Sequence, residues 1–558
     1  MIANRFDPWH PLGNHVLEHY PMNRPRIALV LWLALVSGVF ADDPTTSPNL
    51  RYYSPIPKGE RRVVVVDVCI YGGSPAGVTA AIQTHRMGKK AAFAVFGKHV
   101  GGLTSGGLTA TDVGNVAGIG GLAKEFYERV GLLRGFKPSA AEKTFRSMLA
   151  DGKVPVYDMQ RLIDVKKDGN RITSIVMEGG LEFEAKIFVD ATYEGDLFAK
   201  AGISFHVGRE SNATYGETLN GIQHRNQHQF LTKVDPYKTA GDPKSGLLWG
   251  ISPDPLGKNG DGDRSLQAYN FRMFLSNAAD RTPFPKPAGY DPSRYDLLAR
   301  YIASVPDAPQ KFLFKAPYGP VQLHNGDCNN DGGFSTDYIG GNHRWADADY
   351  AEREKIFQDH VNYQQGLMWF LCHDERVPTA MRKKANSFGL AAGEFPETGG
   401  WPHQLYIREG RRLISDYVMT EKNCLSKEVA QDSVGLASYN MDSHNCRRVV
   451  VDGYVRNEGD VQVGCPKPYP VSYRSIVPKK KECSNLFVPV CLSSTHIAYG
   501  SIRMEPVFMI LGQSTGTAAV MAIEESVAVQ QVAYTRLRER LVADKQNLEF
   551  IVKPKQKN

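Results

Sequence analysis

A mixed α/β chain, built on a parallel sheet with helices packed against it, is predicted from three observations. Residues 63–71 form a β-branched run of little polarity, the composition of a strand covered on both faces. Gly72-Gly73-Ser74-Pro75-Ala76-Gly77 follows at once and opens a helical pattern through Val78, Thr79, Ala80, Ala81 and Ile82. Far downstream, Pro506 precedes Gly512-Gln513-Ser514-Thr515-Gly516-Thr517-Ala518-Ala519, which reads as a long helix of small residues in close contact with something planar or with backbone. The chain has the means to build such a core. Its 558 residues are 42% hydrophobic, which excludes disordered and fibrous classes and predicts more than one structural unit.

Strand, tight turn and helix are the context in which a G-x-G-x-x-G turn binds the pyrophosphate of a dinucleotide. Gly72 permits the turn, Ser74 is small enough for the backbone to approach a pyrophosphate, and Gly77 lets helix and strand pack closely. The helix start then turns free N–H groups and a positive dipole end toward the anion. Two departures stand out. Ser74 occupies the place of the usual second glycine, and the second strand, 91–96, ends without the acidic residue that would hold the ribose. Val95 stands there, and no Asp or Glu occurs between Asp67 and Asp112. Ribose recognition is expected from elsewhere in the chain.

Residues 154–190 read as short strands joined by turns at Asp168-Gly169 and Gly179-Gly180. A buried strand over 187–192 ends at Thr192-Tyr193-Glu194-Gly195-Asp196, either a second ligand-facing turn or a plain turn capped by Asp196. Residues 222–430 lack the βαβ rhythm and are rich in Pro, Gly, Asp, Asn and aromatics, as a substrate-facing α+β cap inserted into the cofactor domain would be. Asn329-Asn330-Asp331-Gly332 lacks the acidic spacing of a calcium loop, and no metal site is expected.

Ordered blocks sharpen this. "DVCIYGGSPAGVTAAI" from Asp67, "GKHVGGLTSGGLTATD", "FVDATYEGDL" at 188–197, "LYIREGRR" at 405–412, "DSVGLASYNMDSHNCRRVV" at 432–450 and "GSIRMEPVFMILGQSTGTAA" at 500–519 resemble the secreted FAD-dependent oxidoreductase family, whose members are often labelled xanthan lyases. The resemblance covers nearly all of 63–525. It implies a Rossmann-like FAD/NAD(P)-binding fold of the glutathione-reductase kind, assembled from segments 63–221 and 431–530 around the cap at 222–430. It implies FAD as cofactor, with Gly101, Gly102, Thr192, Glu194 and Asp196 beside it and Gly512, Gln513 and Thr517 on a helix facing the flavin. Lys98-His99 precedes a glycine-rich loop in a place similar to that of the covalently attached histidine of succinate dehydrogenase and fumarate reductase flavoproteins. A loop histidine contacting the pyrophosphate is the alternative.

Flavin chemistry requires an acid/base group near the ring, and cations if the substrate is anionic. Three neighbourhoods offer these. Tyr406, Arg408, Glu409, Arg411 and Arg412 could bind carboxylate or sugar oxygens, Arg408 and Arg412 being one helical turn apart, or they could form a salt-bridged helix. Tyr439, Asn440, Asp442 and His444 carry acid/base types or belong to a polar structural loop. His496, Arg503 and Glu505 precede the small-residue helix, so His496 is the first candidate, with a buried Arg503–Glu505 pair as the alternative. The expected activity is hydride transfer to or from a small polar, sugar-derived substrate. A polysaccharide lyase using Tyr439, His444 and Arg408, or a non-catalytic flavin-binding module, would be the alternatives.

Arg24-Pro25-Arg26 and the apolar run 27–41 read as an export signal ending at Val39 and Ala41, with Met22 the expected start, followed by a linker over 42–62. An exported protein with no membrane span after signal removal, and with oxygen as a plausible electron acceptor, is expected. Eight cysteines occur without a C-x-x-C pair, which argues against zinc or an iron–sulfur cluster. The formal charge is +7; residues 531–558 carry +4 of it (seven Lys/Arg less three Asp/Glu) as a basic helix and tail with only Tyr534 and Phe550 as aromatics, the pattern of a solvated helix face and tail, and nucleic acid is not expected as a partner.

Overall fold

Strand β1 (Arg62–Tyr71) begins exposed and ends fully buried, and its buried half is the centre of a seven-stranded sheet. It pairs in parallel with β2 (Ala91–Ala94) on one side and β6 (Leu181–Asp190) on the other. Beyond β2 lies β3 (Val156–Tyr157), also parallel. The far edge of β6 is shared. Its first half takes the antiparallel strand β5 (Arg171–Met177), itself paired with β4 (Leu162–Asp168), and its last residues take β7 (Leu486–Phe487) in parallel. Segments some 300 residues apart therefore complete one sheet, whose Leu486↔Phe188 and Phe487↔Val189 register sits at the buried carboxyl ends of the strands.

Helix α1 (Pro75–Arg86) starts where the turn predicts. Ser74 is its N-cap, accepting from the Gly77 amide, and Pro75 opens the first turn. Short α2 (Gly102–Ser105), then α3 (Gly121–Val130) and α4 (Pro138–Asp151), follow on the β2 side, and α5 (Asp196–Lys200) follows β6. The middle of the chain contributes α6 (Tyr350–His373) and a three-stranded sheet of Met273–Ser276, Gly326–Cys328 and Gly389–Leu390. The C-terminal part supplies α7 (His496–Ile502), α8 (Glu505–Glu525) and α9 (Tyr534–Ala543). By length and composition α8 could cross a membrane, but 94% of its apolar window is buried in protein, packed on α1.

These features come from a computed structural model that describes residues 49–109, 112–308, 311–312 and 320–551, all within one compact unit. The export segment expected at 1–41 lies outside the described residues. The linker expected over 42–62 is not free where it is described: Leu50 is buried, and Tyr52 packs on Phe96, Trp345 and Phe357. Aromatic anchors hold it against the body. All eight cysteines are thiols.

Candidate functional site

A cleft of about 480 Å3 opens at the carboxyl ends of β1, β2 and β6. Gly72, Gly73 and Ser74 form its floor at the start of α1. Gly72 has φ +118°, and a Cβ there would stand 2.4 Å from the Ala191 carbonyl carbon. A Cβ on Gly77 would stand 2.1 Å from the Gly72 carbonyl oxygen, so strand, turn and helix touch only because both residues are glycine. Pro75 and Ala76 are buried in the first turn of the helix. The floor and the helix dipole fit a pyrophosphate.

The walls come from several other segments, including the N-terminal stretch with Tyr52. Val95, Phe96, Lys98 and His99 follow β2; Met159 and Arg161 precede β4; Thr192, Glu194 and Asp196 follow β6; His403, Gln404 and Leu405 close the cleft from the middle of the chain. Gly102 also lines it, while Gly101 is tied behind it, both amides bonding the Gly73 carbonyl. His99 stacks on His403 at 3.7 Å, with its Nδ1 2.9 Å from Glu142. Burial and the nearby His99 push His403 down to about 3. Burial would raise Glu142, but His99 and Arg146 hold it at about 2.

Asp196 is no simple cap. It takes two hydrogen bonds from Arg353 (2.6 and 2.9 Å) and one from Arg411 (2.7 Å). These guanidiniums overcome burial and hold its carboxyl low. Its neighbour Glu194 has no such partner, and burial raises it despite the field of Arg353.

Beyond Leu405 lies a second neighbourhood, around Tyr406. The guanidiniums of Arg408, Arg503 and Arg272 stand 4.5, 5.7 and 5.9 Å from its ring centre, and Arg503 Nη1 donates to its hydroxyl at 2.9 Å. Carboxylates answer each cation: Asp327 holds Arg272 at 2.7 Å, Asp337 faces Arg408 at 3.1 Å and Asp442 faces Arg503 at 3.6 Å. The Nε atoms of Arg408 and Arg503 are buried without a partner. At the partly exposed edge, Tyr439 hydrogen-bonds Asp112. Burial raises Asp112, Asp442 adds to this, and Arg272 and Arg503 oppose it. The cluster can bind polar oxygens and hold a proton at one place.

Several sequence candidates sit elsewhere. His496 is 1% exposed, and its Nδ1 lies 2.7 Å from Glu409 and its Nε2 2.9 Å from the Ser443 hydroxyl. Glu409 is also held by Arg412, so burial and the Arg412 and Arg209 charges push His496 down to about 3. It is a neutral imidazole inside an ionic core and does not line the cleft. His444 and Arg408 share Asp337, with His444 Nδ1 2.7 Å away. Residues 405–410 are irregular and Arg411–Leu413 is a strand paired with Phe205–Val207, so Arg408 and Arg412 do not share a helix face. Among the described residues no Arg503–Glu505 pair forms; Glu505 accepts instead from Thr104 and Tyr193. Gly512, Gln513 and Thr517 serve helix packing: Gln513 accepts from the Leu122 amide at 2.7 Å, and Thr517 bonds back to Gln513.

Tyr52, Arg161, Arg272 and Arg353 were not legible as site residues. Only the paired aromatics Tyr52-Tyr53 inside a polar stretch hinted that this segment docks.

The sequence profile of the family described as FAD dependent oxidoreductase matches residues 67–541. No curated protein matches the chain. Among solved structures, THI4 of Thermovibrio ammonificans is similar at 20% identity and TM-score 0.22, over 28% of this chain and 71% of that one. L-proline dehydrogenase of P. horikoshii matches at 20% identity and TM-score 0.17, over 29% of this chain and 27% of that one. Thioredoxin reductase of T. acidophilum matches at 18% and 0.18, over 27% and 40%. This chain thus spans less than half the length of the latter two, and each likeness is partial.

Proposed function

Because the chain belongs to the FAD dependent oxidoreductase family, we propose that it is an exported enzyme that oxidises or reduces a small polar substrate by hydride transfer, with sugar-derived compounds the first class to screen. FAD is its cofactor, and when bound it supplies the two-electron chemistry that no side chain offers. The observation that carries the reading is the cluster around Tyr406, which begins one residue after Leu405 of the cofactor cleft.

The chain's own residues divide the remaining work. The Gly72–Ser74 turn and the start of α1 bind the cofactor's phosphates. Arg503 fixes the Tyr406 hydroxyl, and Arg272 and Arg408, each held by its own carboxylate, place positive charge around the Tyr406 ring, a field that favours a polar or anionic substrate beside it. Tyr439 and Asp112 hold a proton at the solvent edge, where one must leave or arrive with each hydride. Oxygen is the proposed acceptor outside the cytoplasm. Arg408 and His444 are both committed to Asp337, which weakens the lyase alternative.

The test is the visible spectrum of the purified protein before and after anaerobic dithionite. A two-banded flavin spectrum that bleaches supports the proposal and justifies screening sugars and hydroxy acids as reductants. A colourless protein that takes up no added FAD would overturn it.

A further inference from the structure

The end of β2 offers no carboxylate to a ribose, and the residue that occupies this part of the cleft has the opposite charge. Arg161 lines the cleft, is 3% exposed, and lies over the rings of Phe96 and Tyr53, 5.4 Å from each centre. Phe96 directly follows Val95, so Arg161 stands where the adenosine of a dinucleotide held on the α1 turn must reach. Its position is fixed from both sides by backbone bonds: the Gln160 amide donates to the Val95 carbonyl at 2.8 Å, and the Glu178 amide to the Arg161 carbonyl at 2.8 Å.

This guanidinium is short of partners. Its Nε and Nη1 are buried with no acceptor among the described residues. Glu178, the acid nearest along the paired strands, gives one oxygen to the Tyr53 hydroxyl at 2.6 Å. A buried charged donor left without an acceptor is unfavourable unless a ligand supplies one. Aromatic faces hold the planar group still beside the cleft.

We propose that Arg161 is the cofactor-binding residue that reads the adenosine end, its guanidinium donating to the ribose oxygens in place of the acid that Val95 does not provide. This rests on the flavin reading of the cleft. The chemistry of recognition is thereby inverted. An acid at the end of β2 accepts from both ribose hydroxyls and repels a phosphate on either, whereas a guanidinium welcomes one. The subsite is therefore suited to adenosine carrying a ribose phosphate as well as to the adenosine of FAD.

The full chain, stripped of flavin, is titrated with FAD, with adenosine 5′-monophosphate and with adenosine 2′,5′-bisphosphate by calorimetry. The expected result is that the bisphosphate binds the wild type at least threefold more tightly than the monophosphate. Arg161→Gln is expected to lose that preference and to bind FAD at least tenfold more weakly, while Arg161→Lys keeps the preference. Should Arg161→Gln fail to fold, the wild-type ranking and the lysine variant decide. A wild type that binds the bisphosphate more weakly than the monophosphate, or an Arg161→Gln protein with FAD affinity within twofold of wild type, overturns the inference. A wild type that binds no FAD at all overturns the flavin reading instead.

Discussion

Gly512 of α8 lies directly on the Ala76 carbonyl of α1: a Cβ at position 512 would stand 2.2 Å from that oxygen and 2.3 Å from Thr79 Oγ1. The two helices are also bonded side chain to backbone, Thr79 Oγ1 donating to the Met509 carbonyl at 2.8 Å. Helix propensity and packing then give opposite signs for Gly512→Ala. Propensity favours alanine by about 1 kcal/mol, while overpacking costs about 1–3 kcal/mol, and here the obstacle is backbone that cannot rotate away. Packing wins. Gly512→Ala is expected to lower the unfolding free energy by up to about 2 kcal/mol in urea melts, and to weaken FAD retention because α1 carries the phosphate turn. A raised melting temperature would show that the helices can separate without loss.

Tyr52 ties the N-terminal segment across the cleft. Its ring stacks on Phe96 at 4.8 Å and meets Trp345 edge-on at 4.9 Å, and its hydroxyl reaches Glu194 and Arg353 at 3.4 Å. Each aromatic contact contributes about 1 kcal/mol beyond burial. Tyr52→Ala should therefore speed FAD release about tenfold, read as recovery of flavin fluorescence after dilution, with the far-ultraviolet spectrum unchanged. An unaltered release rate would mean that this segment covers only protein.

What the sequence carried plainly was local. The β1–α1 turn is legible because a glycine needed for backbone contact leaves a mark at a fixed spacing, as Gly72 and Gly77 do. The resemblance implied that segments 63–221 and 431–530 build one domain, but the return of residues 486–487 to the edge of β6 was not legible, since no local pattern encodes a pairing some 300 residues away. Helix α6 was hidden for a different reason. It is buried on nearly every side, with Gln358, His360, Asn362, Gln364 and Gln365 inside, so it has no apolar stripe to betray its period. Candidate site residues failed where charge was taken as a sign of chemistry. His496 and Arg412 belong to a buried ionic core, and nothing in their spacing separates that from a catalytic set.

Tyr439 and Asp112 provide the test of where protons move. Removing the hydroxyl in Tyr439→Phe leaves the cofactor cleft untouched, since Tyr439 does not line it. Flavin content and its bleaching by dithionite are expected to match wild type. Reduction by whichever sugar or hydroxy acid reduces the wild type should slow about a hundredfold, the usual scale for losing one acid/base group. Equal rates would move the proton-handling role away from this pair.

His496 predicts a feature of acid unfolding. Its folded pKa of about 3 lies below the ordinary value near 6.5, so the unfolded chain takes up a proton that the folded chain refuses. Stability is full above pH 6.5 and falls as pH drops toward 3, by up to about 1.4 kcal/mol per pH unit. His496→Gln should be less stable at neutral pH but should lose less stability between pH 7 and pH 5, before Glu210 and Asp263, both held at about 2, begin to titrate. Parallel curves for the two proteins would mean that His496 takes up its proton in the folded chain as readily as in the unfolded one.

Glu505 gives the opposite slope. It opens α8 fully buried, with Thr104 donating from its amide at 3.0 Å and its hydroxyl at 2.7 Å, and Tyr193 from its hydroxyl at 2.9 Å. Burial outweighs these donors and raises the carboxyl to about 7. The folded protein therefore holds a proton between pH 4.5 and 7 that the unfolded chain has released. Stability declines as pH rises through that window and levels off above it. Glutamine keeps an acceptor for Thr104 and cannot ionise, so the advantage of Glu505→Gln over wild type should grow from pH 5 to pH 7 and then hold steady at pH 8. Urea melts at these pH values read the difference directly, with other titrating groups cancelling. A difference that does not change with pH would show that Glu505 stays ionised beneath Tyr193.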